Sequence, residues 1–584
     1  VSKEKKFDYR LLRRIIGLAS PYRKLFLFCG LLAVILAPLA AVRPLLIQKM
    51  VDEHIFHYDI TGMTQLTIVL VVLLLIESFL VYAFSFSTNL LGQSVIRDLR
   101  VRVFRHITRL NLSYFDKTPI GTSTTRTIND IETINSVFAE GIITIIADLL
   151  TLIVVLAIML VTSWKLTMVC MTVLPFLVIA SYIFKEKINV SFQRVRTEVA
   201  RMNAFLQERI TGMRIVQIFN AERQEAGKFR EINRVYTKAN LDSVFYYAVF
   251  FPVVEIISAA ALGLMVWWGA RGVIGGEITL GTMVAFPVYI SMLFRPIRLL
   301  ADKFNTLQMG MVAADRVFQL VDDQSFVEQS GTKRVARFQG DIVFDKVDFA
   351  YQDDNYVLKN VSFHVRPGQS IALVGKTGSG KSTIISILNR FYEVRNGSIR
   401  IDGTDIRDYD LYDLRNRIAV VLQDVFLFSG TVMDNITLHD PAISREQVIE
   451  AAKMIGAHAF IERLPGGYDY QVMERGATLS MGQRQLISFV RALVFDPDIL
   501  ILDEATSSID YETESVIQHA IETLIARRTS LIIAHRLSTI RHVDTIIVMD
   551  KGRILESGTH AELLELADGK YRELYEMQFV DSEG

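Results

Sequence analysis

Apolar residues fill the first half of the chain in long runs and shrink to short alternating runs after residue 340. Six stretches, near 25–50, 64–92, 138–162, 165–185, 244–271 and 280–300, are long enough to cross a hydrocarbon core of about 30 Å as helices. The third and fourth are joined only by a tight turn around Ser163-Trp164-Lys165. Long polar stretches follow the second and the fourth. They keep a helical period, so the membrane helices should run well beyond the bilayer, each pair ending in a short transverse helix near 118–122 and near 220–226. Residues 7–16 read as an amphipathic helix lying on the inner membrane surface. After residue 340, β-rich runs alternate with helical ones, as in an α/β domain. The pattern therefore predicts a transmembrane domain over 1–321, a polar linker over 322–340 and an α/β domain over 341–584.

Composition supports this division. The chain has 584 residues, 51% of them apolar, too rich for an average soluble protein. Lys plus Arg equals Asp plus Glu at 63 each, so no basic surface calls for nucleic acid, and no nucleic-acid partner is expected. The two cysteines, Cys29 and Cys170, both lie in apolar runs, which argues against a disulfide framework or a cysteine metal site. The charged start VSKEKK is not followed by a small-residue cleavage site, so membrane insertion is expected rather than secretion.

Charge also sets orientation. The stretch after the second apolar run carries Arg97, Arg100, Arg102, Arg105, Arg109, Lys117 and Arg126, and the one after the fourth carries a dozen more between Lys185 and Lys238. The connection 52–63 has neither Lys nor Arg. The positive-inside rule then places both long loops, both termini and the α/β domain in the cytoplasm. Glu77 and Asp148 lie roughly 20 Å from the outer ends of their helices at 1.5 Å per residue, with Glu255 at a comparable level and Arg295 and Arg298 flanking Pro296 lower down. Charges at such depth face a wet cavity or pair with one another, and both readings stay open here.

The α/β half carries the chemistry. Gly375-Lys376-Thr377-Gly378-Ser379-Gly380-Lys381-Ser382 fits G-x-x-x-x-G-K-[ST], between a buried strand at 370–374 and a helix beginning near Thr383. Bare backbone N–H groups of such a loop wrap phosphates, Lys381 neutralises the β- and γ-phosphates of ATP, and Ser382 holds Mg²⁺. Tyr351 stands upstream, where an aromatic ring can stack on adenine. Gln423 follows a short apolar run and is placed to reach Mg²⁺ and the attacking water. Asp503 ends the run 499–502 and offers a carboxylate to Mg²⁺, while Glu504 next to it can act as general base. His535, after the run 530–533, can hold the γ-phosphate. Leu479-Ser480-Met481-Gly482-Gln483 reads as a small turn opening a helix over 485–493, whose N-terminus favours an anion.

With that last motif the sequence closely resembles the ATP-binding cassette (ABC) transporters, whose signature is usually LSGGQ. The resemblance covers essentially the whole chain: phosphate loop, Gln423, signature, Asp503-Glu504, a D-loop at Ser507-Ser508-Ile509-Asp510, and His535. Tyr114-Phe115-Asp116 with Gly121, and Phe219-Asn220-Ala221-Glu222, look like exporter coupling segments. The resemblance implies an α-helical membrane domain with six transmembrane helices and long cytosolic extensions, followed by an α/β P-loop nucleotide-binding domain. It implies ATP and Mg²⁺ as cofactors, and nucleotide sites formed between two cassettes. Ser480, Gly482, Gln483 and Asp510 would then face nucleotide held by a partner. One membrane domain fused to one cassette is half a transporter, and its partner is a second half-transporter in the lipid bilayer. The implied substrates are hydrophobic or amphipathic small molecules or lipids, exported by alternating access across a bacterial-type inner (plasma) membrane.

Two positions depart from the family pattern: Met481 replaces a usual glycine, and Thr122 stands where an acidic residue often follows Gly121. A changed signature beside Glu504 and His535 resembles one half of heterodimeric multidrug exporters, as does the run 482–489. The alternatives are a homodimeric lipid flippase and a cassette protein that spends ATP on gating or regulating a partner.

Overall fold

The computed structural model describes residues 8–580 apart from 56, 328–330, 353–354, 504–510, 527, 535–540 and 567, and leaves out the side chains of 298, 300, 301, 511–513 and 578–580. The chain forms two compact units. One comprises residues 1–108 and 120–323, the other 109–119 and 324–584.

The first unit is helical. Among the described residues, six helices are long and apolar enough to cross a membrane: Ser20–Ile55, Ile60–Ile107, Ile120–Thr162, Trp164–Thr211, Glu222–Ile274 and Leu280–Val321. Side-chain caps start several of them. Asp59 accepts from the Gly62 N–H at 3.0 Å, and the Thr279 hydroxyl accepts from Thr282 N–H at 3.2 Å. Their core joins Val155, Met159, Cys170, Val254, Met265 and Phe286. Buried Tyr289 is satisfied by donating to the Ala41 carbonyl at 3.2 Å. The amphipathic segment forms a helix over Tyr9–Gly17, N-capped by Asp8, that buries Ile15. Its Arg14 makes a bidentate pair with Asp322, both contacts at 2.6 Å, and lies over the Phe318 ring.

The short helices fall upstream of the places the sequence suggested. The first is Leu112–Lys117, with Asn111 accepting from the Tyr114 N–H at 3.2 Å. It stops at Thr118 because Pro119 drives the preceding residue out of the helical region. The second is Met213–Ile218, and Asn220, at φ +48°, turns the chain before the fifth long helix.

The second unit is built on strands β1 (Ile342–Ala350), β2 (Tyr356–Val365), β3 (Ser370–Val374), β4 (Asn396–Ile401), β5 (Thr404–Asp405), β6 (Ile418–Val421), β7 (Gly430–Thr431), β8 (Gln471–Val472), β9 (Ile499–Asp503), β10 (Thr529–Ile533), β11 (Thr545–Asp550) and β12 (Arg553–Gly558). A six-stranded sheet runs β12-β11-β3-β10-β9-β6, with only β12 antiparallel. β3 and β10 are buried along their whole length, as strands covered on both faces must be. An antiparallel sheet, β2-β1-β4-β5, packs its apolar face into one core through Phe344, Val361 and Ile401. The opposite core gathers Ile436, Ile455, Phe489 and Leu524 from helices.

Candidate nucleotide site

Register brings the motifs together. Ile533 of β10 pairs with Leu373 on one side and Asp503 on the other, so β3, β10 and β9 end level. In an open parallel sheet that carboxyl edge is where ligands bind. Val421 pairs with Leu502, which puts the exposed Gln423 two residues beyond the same edge.

The glycine loop follows β3. Gly375 adopts φ +154°, and a Cβ there would collide with the Met549 carbonyl and come within 2.9 Å of Ser379 Oγ. Gly380 adopts φ +105°, where a Cβ would meet Leu358 at 2.7 Å. These two positions therefore require glycine. Lys381 opens the helix Lys381–Leu388 and is buried. Its Nζ donates to the Gly375 carbonyl at 2.7 Å and to the Lys376 carbonyl at 3.2 Å. Burial lowers the lysine pKa and nearby Asp503 raises it, with burial the larger effect. Ser379 Oγ is buried without a hydrogen-bond partner among the described residues. A buried ammonium held by two loop carbonyls, and beside it a buried hydroxyl with no partner among the described residues, fit a polyphosphate, which would offer the first a counter-charge and the second a hydrogen bond.

Around this loop, the Tyr351 hydroxyl reaches Thr383 Oγ1 at 3.3 Å, and its ring meets Phe349 edge-on at 4.8 Å. Ser382 and Thr383 lie in the first turn of the phosphate-loop helix, with Thr383 buried and Ser382 exposed. Lys376 and Thr377 are exposed on the loop, and Gly378, at φ +82°, lies between them and Ser379. The signature segment differs from a turn. The helix starts at Met481 and runs to Val494, with Ser480 as N-cap. Ser480 and Gln483 form a capping box: Ser480 Oγ accepts from the Gln483 N–H at 3.2 Å, and Gln483 Oε1 from the Ser480 N–H at 3.0 Å. The S-x-x-Q spacing carries that signal. Gly482 is buried in the first turn, whereas Met481 is 43% exposed. Glu504, Asp510 and His535, with the rest of the D-loop, lie outside the described residues.

Two family models match the chain: the ABC transporter transmembrane region over residues 26–297 and the ABC transporter model over 358–507. An uncharacterized ABC transporter ATP-binding protein of Bacillus subtilis strain 168 is 40% identical over 99% of this chain and 96% of its own. The chain belongs to the ABC transporter family. An ATP-dependent lipid A-core flippase of Desulfotalea psychrophila is 35% identical over 97% of this chain and 99% of its own. A B. subtilis protein named "Probable multidrug resistance ABC transporter ATP-binding/permease protein" is 36% identical over 91% and 80%. The solved structure of a bacterial Atm1-family ABC exporter with ATP bound matches with TM-score 0.78 and 29% identity, over 98% of this chain and 99% of that one. The chain is thus an integral membrane protein of exporter type, and its second half is an ATP-binding cassette. Family members with this arrangement work as dimers.

In the membrane unit of this ABC chain, two of the deep carboxylates are paired. Glu77 accepts from Arg43 at 3.2 Å, and Asp148 binds Lys303. Glu255 is exposed on the fifth long helix. Arg295 lines a cavity of about 280 Å³ with Phe184, Tyr247, Phe251 and Asp302. The Arg298 side chain lies outside the described residues. Sequence reading missed the Arg43 and Lys303 partners, since each lies on a different helix from its carboxylate and no spacing rule connects them.

Proposed function

We propose that this chain is the catalytically equipped half of a heterodimeric exporter that moves hydrophobic or amphipathic compounds out of the cytosol or inner leaflet of a bacterial inner membrane. The observation that carries the reading is the fusion of six membrane-crossing helices to a phosphate cradle in one chain. The long loops rich in Lys and Arg support a cytoplasmic cassette.

In this reading the glycine loop and Lys381 hold the triphosphate, Tyr351 stacks on adenine, and Glu504 takes the proton of the attacking water. Gln423 and His535 orient that water and the γ-phosphate. Ser382, Gln423 and Asp503 would hold Mg²⁺, which supplies charge neutralisation on the phosphate oxygens when bound. Ser480, Gly482, Gln483 and Asp510 face the nucleotide of the opposite cassette. Met481 supports the heterodimer. It is exposed at the first position of the signature helix, where a thioether crowds the approach of backbone to phosphate. The site using this signature then hydrolyses poorly, and the partner lends the better signature to Glu504.

Similarity to lipid A-core flippases favours a second reading, a homodimeric lipid flippase. Purification of this chain alone separates the two. The heterodimer predicts little ATPase and no transport from the isolated chain, whereas vigorous ATPase and lipid translocation would defeat it.

A further inference from the structure

The phosphate-loop helix ends at Leu388 and continues into the turn Asn389-Arg390-Phe391-Tyr392. Two arginines hold this turn. Arg415 donates to the Asn389 carbonyl at 3.1 Å and to the Arg390 carbonyl at 2.8 Å. Arg390, 1% exposed and at φ +49°, donates to the Ile406 carbonyl at 3.3 Å and to Glu393 at 2.8 Å. So many fixed contacts make Tyr392 move with the phosphate-loop helix.

Tyr392 faces two ways. Its ring stands edge-on to Tyr351, centroids 5.0 Å apart at 88°, and touches Phe349 at 5.9 Å. Quadrupoles favour that edge-to-face angle, so the orientation of one ring biases the other. Its hydroxyl donates to the carboxylate of Asp116 in the short helix Leu112–Lys117. Burial, then the hydrogen bond to Asp116 and its charge, push the phenol pKa up, so the hydroxyl keeps its proton and stays the donor. The segment carrying Asp116 belongs to the cassette unit. Asn111 N–H donates to the Ser325 carbonyl at 2.8 Å, and Leu110 bridges Phe326. Beside these contacts lies a cavity of about 360 Å³ lined by Asn111, Ser113, Phe326, Tyr351, Arg390 and Tyr392, which leaves the rings room to reorient.

We propose that Tyr392 is a positioning residue that reports base occupancy of the nucleotide site to the helix Leu112–Lys117 along the path Tyr351–Tyr392–Asp116. The inference rests on Tyr351 being the adenine platform. A base stacked on Tyr351 holds its ring in one orientation, the edge contact then holds Tyr392, and the hydroxyl fixes Asp116. A six-residue helix is too short to be stable alone and takes its order from such contacts. A polyphosphate without a base fills the glycine loop yet leaves Tyr351 untouched, so it should not order this helix.

The test is hydrogen–deuterium exchange on the full-length protein in lipid nanodiscs, with saturating Mg-ATP or saturating inorganic tripolyphosphate. ATP should slow exchange in 109–119 about two- to tenfold, the size of effect an aromatic edge contact can transmit. Tripolyphosphate should protect 375–383 but not 109–119. Tyr392→Phe, which keeps the ring, and Asp116→Asn should each lose the ATP-dependent protection while ATP affinity stays within about twofold, a split that general destabilisation of the cassette would not produce. Equal protection of 109–119 by tripolyphosphate and ATP would overturn the proposal, as would full protection in Tyr392→Phe. If the variants fail to fold, the two-ligand comparison on the unmodified protein decides by itself. Tyr351→Ala tests the underlying reading separately. Unchanged ATP affinity removes the platform, whereas weakened affinity with protection intact in Tyr392→Phe removes the relay alone.

Discussion

Lys381→Met removes the ammonium at the centre of the cradle and keeps an unbranched side chain of similar length. The wild-type Nζ is bonded to two loop carbonyls at 2.7 and 3.2 Å and must leave them to meet phosphate. Two phosphate charges at about 4 Å contribute roughly 8 kcal/mol at an effective dielectric of about 20. Giving up two charge-assisted bonds costs about 1.5–3 kcal/mol each, which leaves about 2–5 kcal/mol. At 1.4 kcal/mol per tenfold, Lys381→Met should weaken ATP binding at least about thirtyfold. Thermal stability should hardly fall, since a buried charge is replaced by an apolar chain. The assay is competition of ATP against a fluorescent ATP analogue, with the melting temperature measured on the same samples. Titration adds a sign test. Burial lowers the lysine pKa below its ordinary 10.5, so ATP affinity should fall with rising pH earlier than for an exposed lysine. The unfolded chain holds that proton more tightly than the folded one, so this group's contribution to stability rises with pH over the same range. ATP affinity within about threefold of wild type, or affinity and stability falling together, would refute the reasoning.

If Glu504 is the base, as proposed, Glu504→Gln should bind Mg-ATP normally and hydrolyse it at least about a hundredfold more slowly in a steady-state assay, because it keeps the shape and removes the carboxylate. Glu77→Gln should lower the melting temperature by the equivalent of about 1–3 kcal/mol, the cost of leaving the Arg43 guanidinium without its carboxylate partner. Replacing both Arg43 and Glu77 by Leu should recover most of that loss, and equal losses in the single and double variants would sink the pairing account. Asp322→Asn should cost at most about 1 kcal/mol, since its pair with Arg14 is roughly half exposed. The Arg14 guanidinium holds the Asp322 carboxyl below its ordinary 3.8, so the pair stabilises above that value and its contribution disappears as pH falls through the lowered pKa. The melting-temperature gap between wild type and Asp322→Asn should therefore be constant above about pH 5 and close in stronger acid.

Much of this protein is written locally. A membrane helix needs a run of apolar residues, and a phosphate loop needs glycines at fixed spacing, so both are read directly from the chain. The capping box Ser480–Gln483 is equally local, yet a glycine-containing stretch also looks like a turn, and only the reciprocal bonds place the helix start at Met481. Pro119 similarly marks where a helix cannot continue without saying on which side the short helix forms.

The sequence by itself determined six membrane-crossing helices and an α/β cassette behind them, and it marked out the glycine loop as the candidate phosphate cradle, because each depends on period, composition or a motif within a few residues. Tertiary structure alone decided which distant groups meet. Strand register sets Asp503 level with the end of β3, Arg43 and Lys303 neutralise carboxylates on other helices, and residues 109–119 join the cassette unit through Tyr392. Such contacts have no sequence period, because they close loops of tens to hundreds of residues and are paid for by the packing of the whole unit rather than by any one segment.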